Sequence, residues 1–149
     1  MRSARPLAKA LFILDIRSRS VRTDSESDEK MEPFQEQFVV TLDVGIANGG
    51  AFETVPAGER AVIKHVSVYA TGSGTEKADY FITSTIEDDS TFREVPIITK
   101  VGALGVIGSH SVRAFAAPGT QFGGVIRRLD TTGRIVATIV ITGYYIPVP

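Results

Sequence analysis

Two short turns built from proline and glycine, each followed by a long β-rich stretch, constrain the fold of this chain most strongly. The first turn, residues 55–58 (VPAG), precedes residues 61–69, and the second, residues 117–120 (APGT), precedes residues 121–129. Proline presets φ at the second turn position, so glycine in fourth place predicts a type I turn and glycine in third place a type II turn. Only the second glycine, Gly119, is then expected at positive φ. Both units predict an all-β chain.

Alternating hydrophobicity adds strands on either side of these turns. Apolar side chains occupy every second position of residues 38–46, which predicts a strand packed on one face. The Asn48-Gly49 pair that follows predicts a tight hairpin, because both residues tolerate positive φ. Residues 95–101 alternate in the same way, and Pro96 predicts that their strand lies at a sheet edge.

Two of the predicted strands carry further signals. In residues 61–69 the alternation changes phase near Lys64, which predicts either a strand covered on both sides or a β-bulge at that position. Residues 134–146 place isoleucine, alanine and tyrosine on one face, while β-branched residues dominate the other. That density predicts a central strand of a sheet.

The number and spacing of these strands define the fold class. About seven or eight strands, with turns roughly every 8–15 residues and no alternating helices, predict an antiparallel β-sandwich. An immunoglobulin-like Greek key and a jelly roll both fit this spacing. The chain lacks the cysteine and tryptophan that mark immunoglobulin cores, so a jelly-roll-like order is favoured.

The charge distribution divides the chain into an N-terminal arm and the sandwich. Basic residues dominate positions 1–22 and acidic residues dominate positions 23–37, whereas later charges are sparse and mixed. Opposite charge blocks of this kind are typical of solvated segments. We therefore expect a polar, largely irregular arm over residues 1–37 and a single β-sandwich domain over residues 38–149. Met31 is an alternative start, which would make the preceding residues a dispensable leader.

Residues suited to catalysis or metal binding are sparse. His65 and His110 lie in predicted strands, and their spacing proposes no triad with a nucleophile and a carboxylate. Asp88 and Asp89 lie in a predicted turn that lacks the alternating acidic and glycine residues of a calcium loop. The absence of cysteine removes thiolate and zinc–thiolate chemistry. The sequence predicts no enzyme, no cofactor and no metal site.

Three kinds of partner or destination are also disfavoured. The apolar run of residues 11–14 is too short for a secretory signal and is interrupted by Asp15. No stretch has the length of a membrane span. Arg127 and Arg128 are neighbours in a strand and point to opposite faces, so they form no basic stripe for nucleic acid.

The acidic part of the arm favours a protein partner instead. Residues 23–37 are acidic, whereas four arginines lie on the late strands. We predict that the arm crosses to a neighbouring subunit, with Phe34 as its apolar anchor, and protects a sheet edge there. The arginines expected to receive it are Arg113, Arg127, Arg128 and Arg134.

A ligand-binding alternative rests on the tyrosines. Sandwich proteins that bind carbohydrate present exposed aromatic side chains as platforms, and Tyr69 and Tyr144 are the candidates here. Tyr144 and Tyr145 point to opposite faces of the last strand, so at least one is expected near the surface. The loop of residues 88–92 is a further candidate for such a site.

Two patches of the chain resemble a known group of proteins. Residues 55–67 (VPAGERAVIKHVS) resemble a motif of small bacterial and phage-encoded β proteins, in which a Val-Pro-Ala-Gly turn precedes an Ile-x-His-Val-Ser strand. Residues 139–145 (IVITGYY) are similar to the terminal Gly-Tyr strand of the same group. The resemblance implies a β-sandwich fold. Most of these proteins have no assigned function, so it implies no catalytic residue.

The sequence thus favours a non-enzymatic structural or interaction module. The expected role is a self-assembling or surface-decorating subunit of a larger particle or filament, such as a virion, a tail or an extracellular assembly. A homo-oligomer or a complex with an assembly partner is expected, and an assembled particle is favoured over a secreted monomer. The alternative function is a β-sandwich that binds a small molecule or a glycan.

Overall fold

The computed structural model describes residues 30–86 and 92–149, which form two antiparallel sheets packed face to face. A 3-10 turn, Thr75–Lys77, lies between the third and fourth strands. The predicted all-β sandwich is confirmed, with nine strands in the described residues instead of seven or eight. The strands are β1 (Glu32–Leu42), β2 (Asn48–Thr54), β3 (Glu59–Gly72), β4 (Asp79–Thr85), β5 (Phe92–Pro96), β6 (Lys100–Val101), β7 (Val106–Ala116), β8 (Gln121–Arg127) and β9 (Ile135–Pro147).

The strand pairings are nested, and this nesting makes the fold a jelly roll. β4 pairs with β5, β3 with β7, β2 with β8 and β1 with β9, all antiparallel. This long two-stranded ribbon rolls up so that β9 also pairs with β3, and β8 also pairs with β4. The sheets have the orders β1-β9-β3-β7-β6 and β2-β8-β4-β5. The predicted jelly-roll-like order is confirmed.

The core between the two sheets is mainly aliphatic. Every second residue of β9 from Ile135 to Ile141 is fully buried, as the alternation predicts. Phe122 of β8 packs edge-on against Phe38 of β1, with 6.1 Å between the ring centroids. β9 lies between β1 and β3, so its predicted central position is confirmed.

The first strand begins at Glu32, and the predicted strand start at residue 38 is wrong. Residues 32–37, expected in the irregular arm, pair in register with β9. Phe34 contacts Phe122 and Tyr145 of its own chain, with ring centroids 5.3 and 4.7 Å apart. Phe34 continues the inward alternation of the strand, so it packs against the core of its own sandwich. The rest of the predicted arm, residues 1–29, lies outside the described residues.

The hairpin predicted at Asn48-Gly49 is also wrong. The turn lies earlier, where the carbonyl oxygen of Asp43 accepts a hydrogen bond from the Ile46 nitrogen at 3.0 Å. Asn48 and Gly49 belong to β2, which lies in the other sheet from β1. The connection therefore crosses between the sheets, and Val44 and Ile46, which continue the apolar alternation, are exposed.

Two predictions about individual strands are confirmed. The register of β3 shifts between Ile63 and His65 against both of its neighbours, which is the predicted β-bulge at Lys64. β5 contains Pro96 and is the edge strand of the four-stranded sheet. The single strand predicted over residues 95–101 is wrong, however, because β5 ends at Pro96 and residues 100–101 form β6 of the other sheet.

The two proline turns are alike, contrary to the prediction. Thr120 donates to the carbonyl of Ala117, which puts Gly119 third in its turn, with a φ of +70°. Glu59 donates to the carbonyl of Pro56, so Gly58 is also third, with a φ of +77°. The first turn lies one residue later than expected, and both glycines adopt the left-handed conformation that a type II turn requires.

Candidate functional site

The seven residues predicted for interaction lie in several places. Phe34 packs in its own sandwich, as described above, and three of the four arginines contact other parts of the chain. Tyr69, Tyr144 and Arg113 share the surface of the five-stranded sheet that points away from the core, which we call the outer face.

Arg127 is held within the four-stranded sheet. Its guanidinium makes a two-point ion pair with Glu94 of β5, with 2.8 Å between Nη1 and Oε2. The same guanidinium lies over the Phe81 ring, 5.2 Å from the centroid. Arg127 therefore has partners in its own chain, and the predicted contact with an acidic arm is not needed to neutralise it.

Arg128 is a structural residue. It is only 5% exposed, and its guanidinium donates to backbone carbonyls of two connections. Nε donates to the Ile46 oxygen at 2.9 Å, Nη2 donates to the Asp43 oxygen at 2.7 Å, and Nη1 donates to the Gly133 oxygen. The side chain ties the β1–β2 connection to the β8–β9 connection, so the guanidinium of Arg128 is engaged within its own chain.

The end of the sandwich that Arg128 braces exposes large aliphatic side chains. Four connections meet there: β1–β2, β3–β4, β6–β7 and β8–β9. The strand pairings place Leu42, Gly72 and Val106, each at the end of its strand, close to Ile135, the first residue of β9. The exposed side chains, which we call the apolar end, are Val44 (68% exposed), Ile46 (48%), Val101 (70%), Leu104 (79%) and Leu129 (101%).

Three of the four connections at the apolar end, β1–β2, β3–β4 and β8–β9, are bonded to one another. The Gly45 nitrogen donates to the Thr131 oxygen at 2.8 Å, and the Ser73 nitrogen donates to the Arg134 oxygen at 3.2 Å. The five strand ends of this sheet, spaced about 4.8 Å apart, make the surface about 19 Å wide. These three connections therefore brace one another, whereas the β6–β7 connection is closed by its own hydrogen bond, from the Gly102 nitrogen to the Gly105 oxygen.

Charges of both signs surround the apolar end. Arg134, the last of the predicted arginines, pairs with Asp43 at 3.1 Å, and both side chains are well exposed. Asp130 accepts hydrogen bonds from the hydroxyl and the nitrogen of Thr132, at 2.7 and 3.0 Å. These bonds lower the pKa of Asp130 below its usual value, with a smaller contribution from Lys77.

The outer face differs from the apolar end because it is mainly polar. Tyr69 is 47% exposed, whereas Tyr144 is half-buried. The two tyrosines are about 20 Å apart along the sheet, at about 3.3 Å per strand residue. The register gives four rows across β9, β3 and β7: Tyr144–Val62–Phe115, Thr142–His65–Ser111, Val140–Ser67–Ser109 and Thr138–Tyr69–Ile107.

The bulge in β3 adds two side chains that the sequence interpretation did not assign to a site. Ile63 and Val66 are fully buried on the core side, so Lys64 and His65 between them both point outward. Arg113 of β7 lies opposite the bulge, between the residues that pair with Ile63 and His65. The phase change near Lys64 in the sequence was the signal from which this placement could have been found.

The histidines make ordinary hydrogen bonds, one for His65 and two for His110, whose Nδ1 also lies 3.1 Å from the Ser111 oxygen. His65 Nε2 is 2.8 Å from Ser109 Oγ, and His110 Nε2 accepts a hydrogen bond from the Ile98 nitrogen at 3.1 Å. No carboxylate hydrogen-bonds to either histidine in the described residues, so the geometry shows no triad there. An open cleft of about 250 Å³ beside His110, lined partly by Ile98 and Ile107, is smaller than most ligand pockets.

Burial raises the pKa of two tyrosines. The hydroxyl of Tyr80 donates to the Thr75 oxygen at 3.0 Å, and desolvation raises the pKa of Tyr80 to about 12. Desolvation, and then the nearby charge of Glu36, raise the pKa of Tyr145 to about 12. Both phenols therefore stay protonated at neutral pH.

Within residues 30–86 and 92–149, no group of three or more histidine, aspartate or glutamate side chains is placed to hold a metal ion. Residues 87–91, which include the Asp88-Asp89 candidate and most of the loop proposed for a ligand, lie outside the described residues. The described residues also contain no helix long and apolar enough to cross a membrane.

No protein-family model matches the chain, and no curated protein is significantly similar to it in sequence.

Proposed function

We propose that this protein is a non-enzymatic interaction module, a self-assembling or surface-decorating subunit of a larger particle or filament. A virion, a phage tail or an extracellular assembly would use such a subunit. The observation that supports this function is the apolar end, where five large aliphatic side chains are 48–101% exposed on one surface. A jelly roll is compatible with this role, but the fold alone does not define a function.

Burying the apolar end against a partner would stabilise a complex. Burying one side chain of this size contributes about 1.5–3 kcal/mol, so five of them can offset much of the entropy lost on association. Singly exposed aliphatic residues are common on soluble proteins, whereas adjacent ones mark interaction surfaces. The Arg128 hydrogen bonds hold the connections in place before binding, which lowers the ordering cost.

The surrounding charges favour a second copy of the chain as the partner. Asp43, Asp130, Lys77 and Arg134 provide both signs around the aliphatic side chains. In a two-fold contact each acidic group can face a basic group of the other copy, so such a rim is self-complementary. A lipid surface would instead favour an excess of lysine and arginine with interfacial aromatic residues.

Light scattering coupled to size-exclusion chromatography tests this function. We expect the full chain to form a dimer or larger species that dissociates on dilution, and Leu104→Asp/Leu129→Asp to remain monomeric. The matched control, Met31→Asp/Val39→Asp, adds the same charge at exposed apolar residues of the β1 region and should assemble like the wild type. A wild-type chain that is monomeric at all concentrations, or a Leu104/Leu129 variant that assembles normally, would refute the proposal.

A further inference from the structure

The outer face of the five-stranded sheet is positively charged. Its outward-pointing residues include Arg60, Lys64, Arg113 and Lys100, and none of the outward-pointing residues in the described strands of this sheet is aspartate or glutamate. The ion pairs Arg127–Glu94 and Arg134–Asp43 involve none of these four cations. The other basic residues predicted for interaction, by contrast, have partners in their own chain.

Lys64 and Arg113 concentrate this charge at one position. The bulge turns Lys64 outward, and Arg113 lies opposite it on the neighbouring strand. Both side chains are exposed. Like charges that face each other across two strands are destabilising, so this arrangement has an electrostatic cost in the unliganded protein. An anion bound between the two side chains would remove that cost.

The rows beside Lys64 and Arg113 are suited to a sugar. On one side, the half-buried Tyr144 ring lies next to Val62 in the register, which gives an aromatic and apolar surface. On the other side, Thr142 and Ser111 flank His65 and present groups that both donate and accept hydrogen bonds. An aromatic platform, a cationic pair and a row of hydroxyl groups thus lie side by side.

We infer that the outer face binds an acidic polysaccharide, with a sugar carboxylate between Lys64 and Arg113 and a sugar ring on Tyr144. Single-stranded nucleic acid is also a polyanion, but it needs successive aromatic side chains along a basic groove. Here the two tyrosines are about 20 Å apart and the charge is concentrated near one of them. This inference is independent of assembly, because the outer face and the apolar end share no side chain.

Isothermal titration calorimetry of the full chain with three probes tests the inference. The probes are an oligogalacturonate, its fully methyl-esterified counterpart and an oligothymidylate of similar charge. We expect the oligogalacturonate to bind most tightly and the esterified probe at least about tenfold more weakly, because esterification removes the carboxylate charge. Tighter binding of the oligothymidylate, or equal binding of the charged and esterified sugars, would overturn the inference.

Matched variants localise the site. Lys64→Gln/Arg113→Gln should weaken oligogalacturonate binding at least about tenfold, whereas Arg93→Gln/Arg127→Gln removes the same charge from the other sheet and should change it less than about twofold. Tyr144→Ala should weaken binding while Tyr144→Phe retains it, because the ring and not the hydroxyl contacts the sugar. Equal losses in both double variants would show a net-charge effect, and an unaffected Tyr144→Ala would exclude the proposed stacking. Thermal unfolding confirms that each variant is folded.

Discussion

Arg128 shows how much one side chain contributes to the end of this sandwich. Its guanidinium donates to the carbonyl oxygens of Leu42, Asp43 and Ile46 and to that of Gly133. We predict that Arg128→Met lowers the free energy of unfolding by about 3 kcal/mol, because several partly buried carbonyls lose their donor. Arg128→Lys should lower the free energy of unfolding by less than Arg128→Met does, but it should not restore the wild-type value. The lysine ammonium cannot reproduce the planar guanidinium, which donates to several carbonyls at once. Urea unfolding measures both changes.

The control for Arg128 is the exposed arginine of the same connection. Arg134→Gln removes an ion pair between two well-exposed side chains, so its cost should be about 0–1 kcal/mol. Equal destabilisation by Arg128→Met and Arg134→Gln would show that the buried hydrogen bonds do not brace the apolar end.

The two turn glycines give a second prediction about single residues. Gly58 and Gly119 have similar positive φ values, and a Cβ at either position would meet no atom within 4 Å. We predict that Gly58→Ala and Gly119→Ala each cost about 1 kcal/mol, from backbone strain alone. Thermal or urea unfolding provides the comparison. A clearly smaller cost at Gly58 would favour the type I turn that the sequence predicts there.

Some residues of the outer face could be placed from the sequence, whereas the buried position of Arg128 at the apolar end could not. Tyr69 and Tyr144 could be placed near a surface because strand alternation is a local property. The outward position of Lys64 follows from the bulge, which the phase change in β3 also predicts. The burial of Arg128 could not be predicted, because all of its acceptors except Gly133 lie more than 80 residues away in the sequence.

The strand β1 provides a prediction at the level of one element. A chain that begins at Met31 keeps all of β1 and should retain a single cooperative thermal transition. A chain that begins at Phe38 loses six residues paired with β9 and the contacts of Phe34 with Phe122 and Tyr145. We predict a loss of about 3 kcal/mol or more for this second truncation. Equal stability of the two truncated chains would show that residues 32–37 add nothing to the sandwich.

Individual elements also show why the strand pattern was easier to predict than its connections. The edge position of β5 and the central position of β9 follow from Pro96 and from β-branched density, which are local properties. The hairpin at Asn48-Gly49 was predicted wrongly because hairpin rules assume that consecutive strands pair. In this jelly roll β1 pairs with β9, at the other end of the chain, and no local pattern reports such a pairing.

At the level of the whole molecule, the outer face and the apolar end point in different directions. The outer face covers the flat side of the five-stranded sheet, whereas the apolar end lies where the strands terminate. A copy docked through its apolar end therefore leaves the outer face open. Assembly through the two-fold contact would place at least two outer faces on one particle, and the two proposed contacts would act together.

This arrangement predicts that assembly strengthens polysaccharide binding only when the polymer is long. A short oligogalacturonate reaches one outer face, so the wild type and the monomeric Leu104→Asp/Leu129→Asp variant should bind it equally. A long polygalacturonate can reach several faces, and the second binding event is then intramolecular. The assembled wild type should bind the long polymer at least about tenfold more tightly than the monomeric variant, by surface plasmon resonance on immobilised polymer. Equal affinity of the two proteins for the long polymer would mean that the outer faces of an assembly do not act together.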